Sequence, residues 1–206
     1  LYNRGQLASV VEQAQILIKQ YPQAFIIWNF LGAANKGLGQ VEKASEAFKK
    51  VTELNPNYAD GFNNLGVTFK DQRKFDEAIE AYKKALLLKP DYAEAYNNMG
   101  IALKEQEKLD EAIEAYKKAI SLNPSYADGF NNLGVTFKDQ RKFDEAIEAY
   151  KKALLLKPNY AEVYNNIGSV LKEKGNVEMA IEAYNKALSL KPDYADAHYN
   201  LSLVFF

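Results

Sequence analysis

Asparagine is the residue type whose placement in this chain points most directly to chemistry. The pairs Asn63-Asn64, Asn97-Asn98, Asn131-Asn132 and Asn165-Asn166 recur at a fixed step, and Asn200 continues the second column. Asn is a mediocre helix former, because its amide competes for the backbone. Two in a row inside a helical segment therefore carry a local cost that something must offset. Two roles are open. The amides bond neighbouring helices, or they recognise a ligand. A carboxamide holds both a donor and an acceptor, so it can grip a peptide unit at two points and read backbone rather than side chains.

Covalent chemistry has little to work with. There is no cysteine, and His198 is the only histidine. This excludes disulfides, thiolate metal sites, a cysteine nucleophile and a polyhistidine metal centre. No phosphate-cradling G-x-x-x-x-G-K loop occurs. The carboxylates recur with the repeat beside lysines, as solvated helix faces do. No catalytic residue, metal ligand or cofactor site is expected, and the chain is read as not an enzyme. Lys plus Arg total 26 against 27 Asp plus Glu, a net charge of -1. That balance argues against a nucleic-acid partner and against a polybasic membrane surface. No apolar run approaches the ~18 residues of a membrane span. The chain opens on Leu1 and stops on Phe205-Phe206, so it reads as a fragment of something longer. Its compartment is undetermined, with the cytoplasm favoured.

The elements that position these residues are set by a repeat. All six prolines (Pro22, Pro56, Pro90, Pro124, Pro158 and Pro192) lie 34 residues apart. Gly32, Gly66, Gly100, Gly134 and Gly168 keep the same step, as do Ala44, Ala78, Ala112, Ala146 and Ala180. So do the aromatic series Phe48, Tyr82, Tyr116, Tyr150, Tyr184 and Trp28, Phe62, Tyr96, Phe130, Tyr164. Within one period, Phe62, Leu65, Gly66 and Phe69 share one helix face, and Ala78, Ile79, Tyr82, Ala85 and Leu86 share another. A break is predicted at Gln72-Arg73-Lys74. Asp76 and Glu77 suit the first turn of the second helix, Lys83 and Lys84 its end, and Glu80 is placed to pair with Lys84. Pro90 stops it. A single such hairpin cannot bury its apolar face, but stacked copies can. A side chain larger than glycine at position 66 is expected to force the hairpin apart. Residues 58–90 and 126–158 are identical, the mark of a duplicated two-repeat block.

The order Trp28, Leu31, Gly32, Ala44, Phe48, Pro56 resembles the tetratricopeptide repeat, whose period is 34. The resemblance covers essentially the whole chain. It implies an all-α fold, a right-handed superhelical solenoid of helix–turn–helix repeats with a concave face lined mainly by first helices. Residues 1–206 are expected to form a single array. Partial repeats fall at 1–24 and 195–206, and full repeats at 25–58, 59–92, 93–126, 127–160 and 161–194. Some positions depart from the pattern. Asn35 stands where Leu or an aromatic is usual. Gly39 and Gly175 hold the inter-helix turn, whereas Arg73, Glu107 and Arg141 replace glycine in the middle repeats. His198 fills the last position of the aromatic series, expected to be buried.

The family resemblance implies a protein or peptide partner. On the expected inner face, the column Asn64, Asn98, Asn132, Asn166 and Asn200 resembles the asparagine ladder in the superhelix of O-linked N-acetylglucosamine transferases. Lys70, Lys104, Lys138 and Lys172 are assigned to the same peptide-binding face. Phe30 breaks the ladder. Packed helices lie ~8–10 Å apart and an extended chain advances ~3.3 Å per residue, so about three ligand residues span one repeat. Asp60, Lys70 and Asp71, like Glu94, Lys104 and Glu105, or Glu162, Lys172 and Glu173, leave this face slightly acidic, which suits neutral or mildly basic segments. Tyr58, Tyr92, Tyr126, Tyr160 and Tyr194 are expected to pack across repeat boundaries.

The expected function is a protein-interaction scaffold that binds extended peptide segments or partner helices in a groove. One alternative is a substrate-recruiting arm of a larger enzyme, such as a glycosyltransferase or sulfotransferase. Another is a self-assembling scaffold. Leu201, Leu203, Val204, Phe205 and Phe206 leave an apolar end, from which end-to-end association of the fragment is expected.

Overall fold

The computed structural model describes residues 4–204. Among the described residues there are twelve helices and no strand: α1 Arg4–Gln20, α2 Phe25–Gly37, α3 Val41–Leu54, α4 Ala59–Asp71, α5 Phe75–Leu88, α6 Ala93–Glu105, α7 Leu109–Leu122, α8 Ala127–Asp139, α9 Phe143–Leu156, α10 Ala161–Glu173, α11 Val177–Leu190 and α12 Ala195–Ser202. They fall into two compact units, Leu1–Glu107 and Lys108–Phe206. In the first, α2 pairs with α3 and α4 with α5, while α1 packs on α2, α3 on α4 and α5 on α6. In the second, α8 pairs with α9 and α10 with α11, while α7 packs on α8, α9 on α10 and α11 on α12.

The glycine and aromatic series meet inside each hairpin. A Cβ on Gly66 would lie 2.6 Å from Cε1 of Tyr82, one on Gly134 2.5 Å from Tyr150, one on Gly168 2.6 Å from Tyr184, and one on Gly32 2.7 Å from Phe48. The ring of the second helix therefore lies flat on the first helix, where only glycine leaves room. Phe48, Tyr82, Tyr150 and Tyr184 are essentially buried. Burying a ring of this size contributes roughly 1.5–3 kcal/mol. Around Phe48 the core gathers Ala44, Val51, Leu65 and Ala81, with Trp28, Tyr58 and Phe69 packed against them. Around Tyr150 it gathers Ala146, Ala153, Val163 and Val170.

The inter-helix turns share one geometry whether or not they hold glycine. In α4 the amide of Arg73 donates to the carbonyl of Lys70 (2.8 Å) and that of Lys74 to Phe69 (2.9 Å). This is the Schellman pattern, which needs a left-handed residue after the cap. Gly39 and Gly175 supply it at φ 77° and 79°. Arg73, Glu107 and Arg141 supply it at 60°, 61° and 60°, against a steric cost of ~1 kcal/mol or more that glycine avoids. Arg73 and Arg141 recover contact energy by placing their guanidinium groups over Phe75 and Phe143, 5.5 and 5.3 Å from the ring centres.

Each second helix ends two residues before its proline, at Leu54, Leu88, Leu122, Leu156 and Leu190. Some surface expectations are corrected. No basic residue lies in the last turn of α5. Glu80 pairs with Lys83 one turn away (3.3 Å) rather than with Lys84. Lys84 instead lies over the Phe62 ring, 5.8 Å from its centre, because its stem follows the hairpin's inner edge. His198 is exposed, and its Nε2 lies 2.8 Å from the Pro192 carbonyl. Trp28, five periods earlier in the same series, uses its Nε1–H in the same way on the Pro22 carbonyl (3.0 Å). At the far end, Leu201 and Val204 pack against the cluster of Leu171, Ala180 and Tyr184, while Tyr199 and Leu203 are exposed. Phe205 and Phe206 lie outside the described residues.

Candidate functional site

The two asparagine columns bond to each other between repeats. Nδ2 of Asn64 donates to Oδ1 of Asn29 (3.4 Å), and Asn98 to Asn63 (3.1 Å). In the second unit Asn166 donates to Asn131 (3.0 Å) and Asn200 to Asn165 (3.0 Å). The first-column residues Asn63, Asn97, Asn131 and Asn165 are buried, whereas Asn64, Asn98, Asn132, Asn166 and Asn200 are half-buried. The buried amides therefore act as acceptors that fix the rotamers of the ladder. Each of Asn64, Asn98, Asn166 and Asn200 spends one N–H on this bond, and its oxygen makes no other bond among the described residues. This division of labour escaped the sequence reading. The signal was present, since the first column recurs as regularly as the second.

The boundary tyrosines complete the network. The Tyr92 hydroxyl accepts from Nδ2 of Asn63 (3.3 Å) near the Asp60 carboxylate. Tyr160 donates to Oδ1 of Asp128 (2.8 Å), and Asn131 donates to Glu162 (3.1 Å). Burial, then the neighbouring carboxylate, raise the ionisation of both Tyr92 and Tyr160 far above the ordinary tyrosine range. Both hydroxyls stay neutral, and that of Tyr160 aims Asp128. These rings pack across repeat boundaries, Tyr92 against Ala85, Leu86 and Ala95, and Tyr160 against the cluster of Ala153 and Val163.

Lys70, Lys104, Lys138 and Lys172 are all half-buried near the ends of their helices. Lys70 pairs with Asp71 at 3.4 Å. A cavity of about 290 Å³ opens beside it, lined by Lys70, Asp71, Arg73, Phe75, Ile101 and Glu105. On α2 the matching face is different. Ile26, Phe30 and Ala33 stand at the positions of Asp60, Asn64 and Val67, and all three are exposed. Among the described residues no group of three or more His, Cys, Asp or Glu is placed to hold a metal ion, and no helix is long and apolar enough to cross a membrane.

Paired antiparallel helices of fixed length, a glycine under each buried ring and a 34-residue step define a class of helical-repeat protein. Family models described as TPR repeat match residues 36–73, 68–107, 136–175 and 168–206. Models described as tetratricopeptide repeat match 93–126 and 115–148. The chain belongs to the tetratricopeptide-repeat family, a family of protein-interaction scaffolds. Among solved structures it is similar to MamA, with 34% identity over 80% of this chain and 96% of that one, at a TM-score of 0.71. It is similar to PilF of Pseudomonas aeruginosa, with 27% identity over 89% and 85%, at a TM-score of 0.77. YrrB, described as a TPR protein with an unusual peptide-binding site, shares the fold at 21% identity over 92% and 97%, with a TM-score of 0.69. No curated protein matches the chain by sequence.

Proposed function

We propose that the first helices of this scaffold present a face that holds an extended peptide segment by its backbone. The observation that carries this reading is the half-satisfied ladder. Asn64, Asn98, Asn166 and Asn200 are each held by one N–H bond to the preceding repeat. The rotamer is fixed, while the oxygen and the second N–H stay available, which is the pair a peptide unit needs. Fixing the rotamer beforehand removes ordering cost from binding. Lys70, Lys104, Lys138 and Lys172 border the same face and suit ligand carbonyls. Its partner is a protein or peptide rather than nucleic acid, in keeping with a net charge of -1. The test is binding of unrelated extended peptides to the parent chain and to a variant with Asn64, Asn98, Asn132 and Asn166 changed to Ala. Loss of binding in a folded variant supports the reading, and unchanged binding refutes it.

A further inference from the structure

We infer that a pocket in the second unit, floored by Phe130 and Phe137 and rimmed by the acidic start of α9, binds an arginine side chain of a partner protein. The pocket measures about 330 Å³. Phe130, Leu133 and Phe137 of α8 line it on one side, and Asp144, Glu145 and Glu148 of α9 on the other. It shares no residue with the asparagine ladder, so it is a second site rather than an extension of the first. Helices of the same unit stand on both sides of it, since α7 packs on α8 and α10 on α9.

The rings set the chemistry. Phe130 and Phe137 are half-buried and packed against the core around Ala146 and Tyr150, which holds them in place from beneath. An aromatic face attracts a cation, and this hairpin already uses that attraction. Lys152 lies over Phe130, 5.9 Å from its centre. In the first unit the identical hairpin of α4 and α5 forms a matching pocket of about 350 Å³. There Lys84 lies over Phe62 at 5.8 Å, and Lys49 of α3 lies over Phe69 at 5.4 Å. Lys117 of α7 is the counterpart of Lys49, but it pairs with Glu114 at 2.9 Å instead. Among the described residues, Phe137 therefore has no cation over it. Lys49 shows what this ring position accepts, and the second unit leaves the same place to a partner.

Charge selects the occupant further. Of the three carboxylates, Asp144 pairs with Lys174, and Glu148 with Lys151 at 3.2 Å. Glu145 makes no hydrogen bond or ion pair among the described residues. The helix dipole explains acids in the first turn of α9, but not the paired rings beneath them. A free carboxylate beside an uncovered ring is complementary to a planar cation that both stacks and donates. Guanidinium does both, whereas ammonium is a strongly hydrated point charge. The aliphatic stem of arginine lies along Leu133. A polyamine has the charge without the plane, so the source is a protein side chain, in keeping with a family of interaction scaffolds.

Nuclear magnetic resonance of the full chain, isotope-labelled in its phenylalanine rings, tests this. The probes are the blocked tripeptide glycine–arginine–glycine, its lysine and citrulline analogues, and spermidine. The arginine peptide is expected to shift the Phe130 and Phe137 signals saturably. Citrulline keeps the shape and loses the charge, and is expected to bind about tenfold more weakly, with lysine between the two. Glu145→Gln and Phe137→Leu, the latter read at Phe130, are each expected to weaken the arginine peptide about fivefold. Leu103 and Leu171 already occupy the Phe137 position in other repeats and are buried there, so Phe137→Leu keeps the fold. Equal binding of the arginine and citrulline peptides, full retention by both variants, tighter binding of spermidine, or no saturable shift overturns the inference. The variant with Asn64, Asn98, Asn132 and Asn166 changed to Ala should bind the arginine peptide as the parent does, so this site and the ladder stand or fall separately.

Discussion

Asn98 donates from Nδ2 to Oδ1 of Asn63 at 3.1 Å, although 35 residues separate them. The bond joins the half-buried column of one repeat to the buried column of the repeat before. Asn63 itself donates onward to the Tyr92 hydroxyl at 3.3 Å. One chain of polar contacts therefore runs from the rung into the interface and on to Tyr92. It ties the geometry of the candidate binding face to the stacking of the repeats.

A double-mutant cycle on this pair measures the tie. Asn98→Ala and Asn63→Ala are each expected to destabilise the fold. The double variant should lose less than the sum, with a coupling of ~0.5–1.5 kcal/mol. Urea denaturation followed by circular dichroism gives the four free energies. Strict additivity contradicts the bond.

Gly66→Ala tests the close approach inside the hairpin. The new methyl would sit 2.6 Å from Cε1 of a fully buried Tyr82 ring. Overpacking of this kind costs ~1–3 kcal/mol. The denaturation midpoint should fall accordingly, and Gly134→Ala against Tyr150 should match it. A neutral result at both sites would mean the ring can slide away.

The buried tyrosines give a pH dependence with a definite sign. Burial, then Glu173, push the Tyr184 hydroxyl from its ordinary value of 10 to about 12, while Ser169 pulls it down. Tyr82 and Tyr150 are driven further in the same direction by burial. A raised folded value favours the neutral form, so this stability is fully present below pH 10 and is lost as pH rises through 12. The melting temperature should be flat from pH 7 to about 9.5 and fall above about 10. The Tyr82 hydroxyl finds no partner among the described residues. Tyr82→Phe should therefore be neutral or stabilising at pH 7 and should reduce the alkaline fall. Phe48 already fills this position in the first hairpin.

Asn35 is a second unpartnered group. It is 2% exposed, and its Oδ1 finds no partner among the described residues. The same repeat position holds Leu103 and Leu171, both buried. Asn35→Leu removes the unsatisfied oxygen and adds apolar burial, so a gain of ~1–3 kcal/mol is expected in urea denaturation. A loss would show that the amide has a partner supplied from elsewhere.

The helices were legible in the sequence because their signals are local and repeated six times over. Pro90, the Gly66 and Tyr82 pair and the break at Gln72-Arg73-Lys74 all bound the elements where the structure places them. The turn conformation was less so. Arg73 looked ill suited to a left-handed residue, yet the Schellman bonds to Phe69 and Lys70 impose one, because backbone pairing outweighs a strain of ~1 kcal/mol. Side-chain partners were the least legible. Glu80 had two lysines within reach, and its choice of Lys83 depended on Lys84 being drawn to Phe62. In the candidate site the resemblance singles out the second asparagine column, but its bonding to the first is not legible in the sequence. Burial separates them, and burial depends on which neighbouring helix each faces. In the sequence Phe30 shows only as a missing rung, because its exposure beside Ile26 depends on how α2 packs.

The most direct measurement is binding of a peptide array to the intact chain and to the variant with Asn64, Asn98, Asn132 and Asn166 changed to Ala. Both should be held below their melting temperatures, with helix content matched by circular dichroism. Many peptides of unrelated sequence are expected to bind the parent, and the folded variant is expected to lose them. If both proteins bind the array alike, or if neither binds it, the half-buried asparagines serve only to join one repeat to the next.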